Sequence, residues 1–335
     1  MYPCSGGNLF MVQRLVAVIA LSLFALSCSR QIQEIPSEKI VESKPDVQAE
    51  TVHEDLDQLY SQVIYGQDNR QDLYQIQNPA LRRMGYATAA LFKTNQLAVG
   101  AASGTIALQT ESFRRAYNLC PEEPFVDQNI GAFCSGFLVA PNVLVTAGHC
   151  IETQAECEKT AFVFGFAMRE EGRYPTQARY DEVYRCRELV YSELNEDTMA
   201  DFAVVILDRP NPRAYPLKIN PASRPIAQNT PLFVMGYPAG LPLKFAPGAR
   251  VRSVEDTYFY TDLDTYGGNS GSAVLNAQTG RVEGILVRGD QDFRRGDGGC
   301  RESNRCDQND CDGEEVTHIK LAIPYIQYAL DHFRQ

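Results

Sequence analysis

The sequence is short of basic residues and of histidine. It has 31 Lys and Arg residues against 42 Asp and Glu residues, which gives a net charge of −11. Nucleic-acid binding needs clustered Lys and Arg to meet the phosphates, so this balance argues against a nucleic-acid partner and mainly favours solubility. The chain has four histidines, His53, His149, His318 and His332, so few positions can supply an imidazole base.

The apolar run near the N-terminus is too short to cross a bilayer. Residues 15–26 ("LVAVIALSLFAL") make up 12 residues, whereas a membrane-spanning helix needs about 20. A run of this length that follows a single positive charge, Arg14, fits the core of a signal peptide. Residues 1–27 are therefore predicted to be a signal peptide, and the protein is predicted to be exported.

The residues around the end of this segment resemble a bacterial lipobox. "ALSC" ends at Cys28, with Ala25 where the usual box has leucine. The resemblance predicts lipidation of Cys28, which would make the protein an outer-membrane lipoprotein and give it its one link to a membrane. The alternative is an ordinary secretory peptide with an incidental cysteine, which would make the protein periplasmic or secreted. Residues 28–60, which are largely polar, are predicted to be a tether or a pro-segment.

Export changes the interpretation of the cysteines. Eight of the ten follow the predicted signal peptide and its possible lipid site, and an even number in an oxidising compartment favours up to four disulfides. Spacing alone allows on the order of a hundred pairings. The eight are Cys120, Cys134, Cys150, Cys157, Cys186, Cys300, Cys306 and Cys311.

From about residue 85 the pattern indicates many short strands. Runs such as "AFCSGFLVA", "DFAVVILD" and "VEGILVRG" are rich in Val, Ile and Phe and are separated by Gly, Pro, Asn and Asp. No βαβ rhythm and no internal repeat is visible, so an all-β barrel or sandwich is predicted. One helix is expected at the end, with Pro324 in its first turn and Ile326, Ala329, Leu330 and Phe333 on one face.

Three polar residues stand where a strand begins or ends. His149 follows an apolar strand in "VTAGHC", Asp201 heads "DFAVVIL", and Ser270 lies among glycines in "GGNSGSAV". A serine hydroxyl becomes a good nucleophile only when a base takes its proton, and that base needs a carboxylate to orient it. A charged residue at the head of a buried strand is costly unless it is paired, and His149 would pair Asp201.

These blocks, in this order, resemble the chymotrypsin-like serine peptidases. The resemblance covers roughly residues 85–335 and implies two antiparallel β-barrels with the active site between them, so residues 61–335 are predicted to be the peptidase domain. It implies that His149 is the general base, Asp201 its orienting carboxylate and Ser270 the nucleophile. The backbone N–H groups of Gly268 and Ser270 would form the oxyanion hole. A monomeric endopeptidase acting on a peptide or protein substrate, with no cofactor and no metal, is expected.

Within the family, "GGNSGS", "GYPAG" and "IYGQDNRQDL" resemble the bacterial glutamyl endopeptidases. Asn269 replaces the aspartate that pairs with a freed N-terminus in the digestive enzymes, so activation by that ion pair is not expected. Thr265 matches the threonine that binds an acidic substrate side chain, but Leu286 replaces the accompanying histidine. The cleavage specificity therefore stays open.

Two sets of residues are candidates for substrate binding. Asp264 stands at the position of the aspartate at the base of the trypsin pocket, which favours Arg or Lys substrates; the alternative is a turn aspartate facing solvent. Val287, Arg288 and Gly289 are predicted to form the strand that pairs with the substrate backbone. Arg288 is expected either to neutralise Asp264 or to attract an acidic side chain, which would make Thr265 and Arg288 the determinants.

The family resemblance also implies a disulfide between Cys134 and Cys150. Closing a loop of this length contributes roughly 3 kcal/mol. The loop that carries Cys300, Cys306 and Cys311 is acidic but lacks EF-hand spacing, which favours structural disulfides over a metal site. Because a fold does not guarantee activity, the alternative function is a non-catalytic surface or binding module on the same scaffold.

Overall fold

The short runs of β-branched and aromatic residues form strands in the computed structural model, which describes residues 68–100, 102–289, 292–296, 298–305 and 313–333. The first ten strands are β1 Gln71–Asp72, β2 Thr88–Lys93, β3 Leu97–Val99, β4 Thr105–Leu108, β5 Glu111–Ser112, β6 Asn129–Ile130, β7 Cys134–Ala140, β8 Val143–Thr146, β9 Thr160–Phe164 and β10 Gln177–Arg179. The next ten are β11 Val183–Leu194, β12 Asp201–Leu207, β13 Pro231–Gly236, β14 Lys244–Val254, β15 Tyr258–Thr261, β16 Ala273–Asn276, β17 Val282–Arg288, β18 Phe293–Arg295, β19 Arg301–Ser303 and β20 Glu314–His318.

Twelve of these strands close into two antiparallel barrels. The first barrel has the order β11-β12-β8-β7-β2-β9. The second has the order β14-β13-β16-β17-β20-β15 and closes because β14 also pairs with β15, while β1 adds to the outside of β14. The all-β double barrel predicted from the sequence is confirmed. Closure removes the exposed strand edges that an open sheet would leave.

The apolar strands face a core that runs through both barrels. Every residue of β12 and of β13 is buried, and apart from Asp201 these strands are continuously apolar rather than alternating. The largest cluster of buried side chains includes Phe92 and Phe137 from the first barrel and Phe233 and Phe245 from the second. The Tyr237 hydroxyl donates to the Thr88 carbonyl at 3.0 Å, which adds a polar tie between the barrels.

Four short α-helices and five single 3₁₀ turns connect the described strands. The α-helices are α1 Pro79–Gly85, α2 Phe113–Tyr117, α3 Gln154–Glu158 and α4 Ile323–His332. The 3₁₀ turns are Thr94–Gln96, Gly148–Cys150, Tyr180–Glu182, Pro238–Gly240 and Ile319–Leu321. Among the described residues, no helix is long and apolar enough to span a membrane.

The terminal helix α4 has the predicted face. Ile326 and Ala329 are buried, and Leu330 and Phe333 pack against the same core. Pro324 lies in the first turn, where its missing N–H costs no helical hydrogen bond. The short helices α1 to α3 were not predicted. The Asn78 side chain caps α1 by accepting from the N–H groups of Ala80 and Leu81 at 2.7 and 3.3 Å.

Three disulfides join distant parts of the described chain. Cys134–Cys150 is the predicted pair, and Cys157–Cys186 ties α3 to β11. Cys120–Cys300 joins residues that are 180 positions apart in the sequence. Cys306 and Cys311 lie outside the described residues. So do the predicted signal peptide, the tether and the lipidation site Cys28.

A fully buried ion pair fixes β1 on the second barrel. The Lys244 ammonium donates to Asp72 Oδ1 at 2.6 Å, to Gln128 Oε1 at 2.8 Å and to the Pro242 carbonyl at 2.9 Å. The Gln128 amide in turn donates to Asp72 Oδ2 at 2.8 Å. Lys244, Asp72 and Gln128 are 2%, 3% and 7% exposed, so neither charge could be left alone in this site without a large desolvation cost.

We predict that Asp72→Leu destabilises the protein by about 3–5 kcal/mol, because it leaves the Lys244 ammonium buried without its carboxylate. The double variant Asp72→Leu/Lys244→Met should lose less stability than Asp72→Leu alone, because both charges are then gone. Urea unfolding of the wild type, both single variants and the double variant measures this coupling. Losses that simply add would contradict a direct interaction.

Candidate active site

His149 lies in the 3₁₀ turn Gly148–Cys150, directly after β8. A side chain at Gly148 would overlap the Glu193 carbonyl, so glycine lets this turn pack against β11. The Cys134–Cys150 disulfide holds the other side of the turn to β7. Within the described residues, Cys134, His149 and Cys150 are the one grouping of metal-type ligands, and the disulfide uses both sulfurs.

Asp201 is the first residue of β12 and is fully buried. Its Oδ2 lies 2.7 Å from His149 Nδ1, and its Oδ1 accepts the backbone N–H of His149 at 3.1 Å. Because a carboxylate accepts hydrogen bonds, Nδ1 is the nitrogen that donates, and Nε2 is left as an acceptor. The predicted pairing of His149 with Asp201 is thus present in the structure. The backbone N–H of Asp201 donates to Thr317 Oγ1 at 3.2 Å.

Arg288 faces the same carboxylate from the second barrel. Its Nη2 lies 3.5 Å from Asp201 Oδ2, and its Nη1 donates to Glu315 Oε1 at 2.6 Å. Burial raises the pKa of Glu315, and the charge of Arg288 opposes that shift. The pairing of β17 with β20 shifts register between Leu286 and Arg288, as expected at a bulge that redirects a side chain. The sequence predicted that the Arg288 guanidinium lies near Asp264 or the substrate. In the structure it lies beside Asp201 and Glu315 instead.

Ser270 is held against β7 by its backbone. Its carbonyl accepts the Ser135 N–H at 2.8 Å. The next residue, Gly271, has φ +87°, and a side chain there would overlap the Ser135 carbonyl and Thr146 Oγ1. The Ser270 hydroxyl donates to the Val287 carbonyl at 3.3 Å. Within the described part of the chain, no hydrogen bond joins that hydroxyl to His149.

The peptide before Gly268 is held by a hydrogen bond to its carbonyl. The Gly267 carbonyl accepts the Ala239 N–H at 2.6 Å. In a planar trans peptide, the C=O and the following N–H point in opposite directions, so the Gly268 N–H points away from Ala239. Gly268 has φ +84°, a conformation that favours glycine.

The direction of the second predicted donor, the Ser270 N–H, is also fixed by a hydrogen bond to the carbonyl of the preceding residue. The Asn269 carbonyl accepts the Ser272 N–H at 3.0 Å, which turns the Ser270 N–H to the other side of that peptide. The Asn269 side chain is 2% exposed, and its Oδ1 accepts the Ser272 hydroxyl at 2.8 Å. A neutral internal hydrogen bond thus occupies the position where the digestive enzymes place an aspartate.

Asp264 lies against the segment that leads into β1. It is exposed by surface area, yet the protein around its carboxylate displaces water and raises the pKa of Asp264 to about 6. The nearby cation of Arg70 and the backbone N–H of Asn69 oppose that rise. Arg70 is buried, and its guanidinium donates to Asp68 and to the Tyr266 hydroxyl at 2.6 and 2.8 Å. A cation therefore already stands beside Asp264.

Thr265 meets a carboxylate that the sequence analysis missed. Its hydroxyl donates to Glu314 Oε2 at 2.8 Å. Glu314 and Glu315 are the first two residues of β20. Like Asp201, they are charged residues at the start of an apolar strand, and that pattern is visible in the sequence. Leu286, at the position of the glutamyl enzymes' histidine, is 2% exposed and belongs to the core of the second barrel.

The other histidines of the described chain lie away from these residues. The His318 ring packs on Phe259 and its Nε2 pairs with the Glu255 carbonyl at 3.0 Å, and burial lowers the pKa of His318. His332 stacks on Tyr328 at the end of α4. His53 lies outside the described residues. His149 is therefore the imidazole beside Asp201 and the serine loop.

Part of the chain is similar to a known peptidase family. A family described as "Trypsin-like peptidase domain" matches residues 134–285. Among solved structures, the chain is similar to Glu endopeptidase in complex with MPD, with 18% identity over 81% of this chain and 100% of that chain and a TM-score of 0.47. It is also similar to human heparin binding protein, with 12% identity over 75% and 93% of the two chains and a TM-score of 0.49. No curated protein matches the sequence.

We predict that Asp264 makes the stability of the protein depend on pH. Its pKa is raised from 3.8 to about 6, so between those values the folded protein binds more protons at this site than the unfolded chain. The contribution of Asp264 to the free energy of unfolding is present below about pH 4 and is lost as the pH rises through about 6. Relative to Asp264→Asn, the wild type should lose free energy of unfolding across this interval. Urea unfolding of both proteins between about pH 4 and pH 6 measures this loss. A difference in free energy of unfolding that stays constant with pH would contradict the raised pKa of Asp264.

Proposed function

We propose that the protein is a serine endopeptidase of the trypsin-like peptidase family that uses His149, Asp201 and Ser270. The observation that carries the proposal is the pair of hydrogen bonds from His149 to the buried Asp201 carboxylate. They hold the imidazole with Nε2 free to accept a proton, which is the state that a general base needs.

The first step requires a small rotation of the serine side chain. The Ser270 hydroxyl turns from the Val287 carbonyl towards His149 Nε2 as the substrate binds. The oxygen then attacks the carbonyl carbon of the scissile bond, and its proton moves to Nε2. Asp201 stabilises the positive charge that forms on the imidazole. Arg288 offsets part of the buried negative charge of Asp201 and Glu315.

The negative oxygen of the tetrahedral intermediate lies where the Gly268 and Ser270 N–H groups point. These donors are held in place by neighbouring hydrogen bonds, so they need no reorganisation as charge develops. The protonated His149 then gives its proton to the leaving amine, the C–N bond breaks, and an ester to Ser270 remains. Water, deprotonated by His149, hydrolyses that ester and restores the serine.

The second candidate function is a non-catalytic binding module on the same scaffold. The observation that favours it is the Ser270 hydroxyl, which is bonded to the Val287 carbonyl rather than to His149. A fluorophosphonate probe separates the two functions, because it forms a covalent bond only with an activated serine. Labelling that is lost in Ser270→Ala supports the peptidase, and no labelling of the folded wild type supports the binding module.

We predict that Ser270→Ala and His149→Ala each lower peptidase kcat by about 10⁴-fold or more without unfolding the protein. The double variant should be barely slower than either single variant, because the two residues act as one unit. Turnover of a peptide library and the circular dichroism spectrum of each variant test this. Losses that multiply in the double variant would contradict a shared role.

We also propose that the protein is exported and is lipidated at Cys28, because the lipobox-like "ALSC" follows a short apolar core. The three disulfides of the described chain are consistent with an oxidising compartment. Cys28→Ser should move the protein from the membrane fraction to the soluble fraction. The matched control is Cys4→Ser, which should leave the distribution unchanged. Mass spectrometry that finds an unmodified N-terminus at another residue would contradict the proposal.

A further inference from the structure

Glu314 lies between the two chain segments that flank the proposed nucleophile. The first segment carries Thr265, whose hydroxyl donates to Glu314 Oε2 at 2.8 Å. The second is the end of β17, where a side chain at Gly289 would overlap the Glu314 carboxylate. Thr265 lies five residues before Ser270, and Gly289 lies two residues after Val287, whose carbonyl accepts the Ser270 hydroxyl. The carboxylate therefore lies between these two segments, and we call the space between them the groove.

The strand geometry explains why Glu314 and Glu315 have different environments. Neighbouring residues of a strand point to opposite faces. Glu315 pairs with Arg288 in the β17–β20 register and faces the Asp201 side. Glu314 projects to the other face, where Gly289 leaves room for its side chain. One glutamate thus supports the proposed triad, and the other lines the groove.

Asp264, the candidate from the sequence, has a different position. Its carboxylate lies by the Asn69 N–H and the Arg70 cation, on the side of the segment that leads into β1. Arg70 is itself fixed by Asp68 and Tyr266. The charge of Asp264 is therefore partly balanced within the protein.

We propose that Glu314 is the specificity-determining carboxylate of this site and that it selects substrates with Lys or Arg before the scissile bond. The inference rests on the proposed function. A substrate ammonium or guanidinium in the groove pairs with Glu314, and Thr265 holds the carboxylate in place. A substrate Glu or Asp meets a like charge instead, and the Thr265 hydroxyl that would bind it already donates to Glu314.

The first test measures binding without catalysis, so it does not depend on peptidase activity. Benzamidine, a planar cation, is titrated by calorimetry into Ser270→Ala protein, and neutral benzamide serves as the uncharged control. Benzamidine should bind more tightly than benzamide. Adding Glu314→Gln should weaken benzamidine binding by about 10- to 100-fold, the loss expected for a hydrogen bond between charged groups. Asp264→Asn should change it by less than about threefold.

Glu188→Gln, at an exposed position on β11, removes the same charge far from the groove and should have no effect. Equal binding of benzamidine before and after Glu314→Gln would overturn the proposal. So would a loss of binding in Asp264→Asn alone, because Asp264 would then be the determinant.

The second test uses turnover of matched peptides that differ only in the residue before the scissile bond. The wild type should cleave after Lys and Arg, and Glu314→Gln should lower kcat/KM for these peptides relative to a Leu peptide by about 10- to 100-fold. Fluorophosphonate labelling of the wild type and of Glu314→Gln is measured alongside, and it reports on the serine separately from the peptide preference. A wild type that prefers Glu overturns the assignment of Glu314. A wild type that binds benzamidine through Glu314 but is not labelled would overturn the peptidase function alone.

Discussion

The buried carboxylate of Asp201 is the charge around which the two barrels are arranged. From the first barrel it accepts hydrogen bonds from the backbone and ring of His149. From the second, the Arg288 guanidinium approaches it at 3.5 Å, and Thr317 accepts its backbone N–H. A fully buried carboxylate without such partners would cost several kcal/mol. The same contacts that make its burial tolerable therefore set the imidazole and fix the ends of β17 and β20 beside it.

Glycines at three points let backbone segments of the candidate site pack closely. Gly148 allows the histidine turn to pack on the Glu193 carbonyl, and Gly271 allows the serine loop to pack on β7 and β8. Gly268 has φ +84°, a left-handed conformation that favours glycine. Ser270 is thus positioned mainly by its backbone. Its hydroxyl donates to the Val287 carbonyl.

The segment before β1 links the rim of the groove to the core of the second barrel. Asp72 closes the buried network with Lys244 and Gln128, and two residues earlier Arg70 stacks on Tyr266 and bonds its hydroxyl. Tyr266 belongs to the loop that leads to Ser270. The charges on this side of the second barrel are consequently balanced within the protein.

The sequence by itself determined the strand pattern, the position of the terminal helix and the order of His149, Asp201 and Ser270, because these depend on local apolar periodicity and on short motifs. It also pointed to Cys134–Cys150 through a family resemblance. Only the tertiary structure decided the Cys120–Cys300 pairing, the side of β17 to which Arg288 turns and the place of Glu314. Those outcomes depend on register, on a bulge and on contacts between residues far apart in the chain, none of which a local pattern encodes.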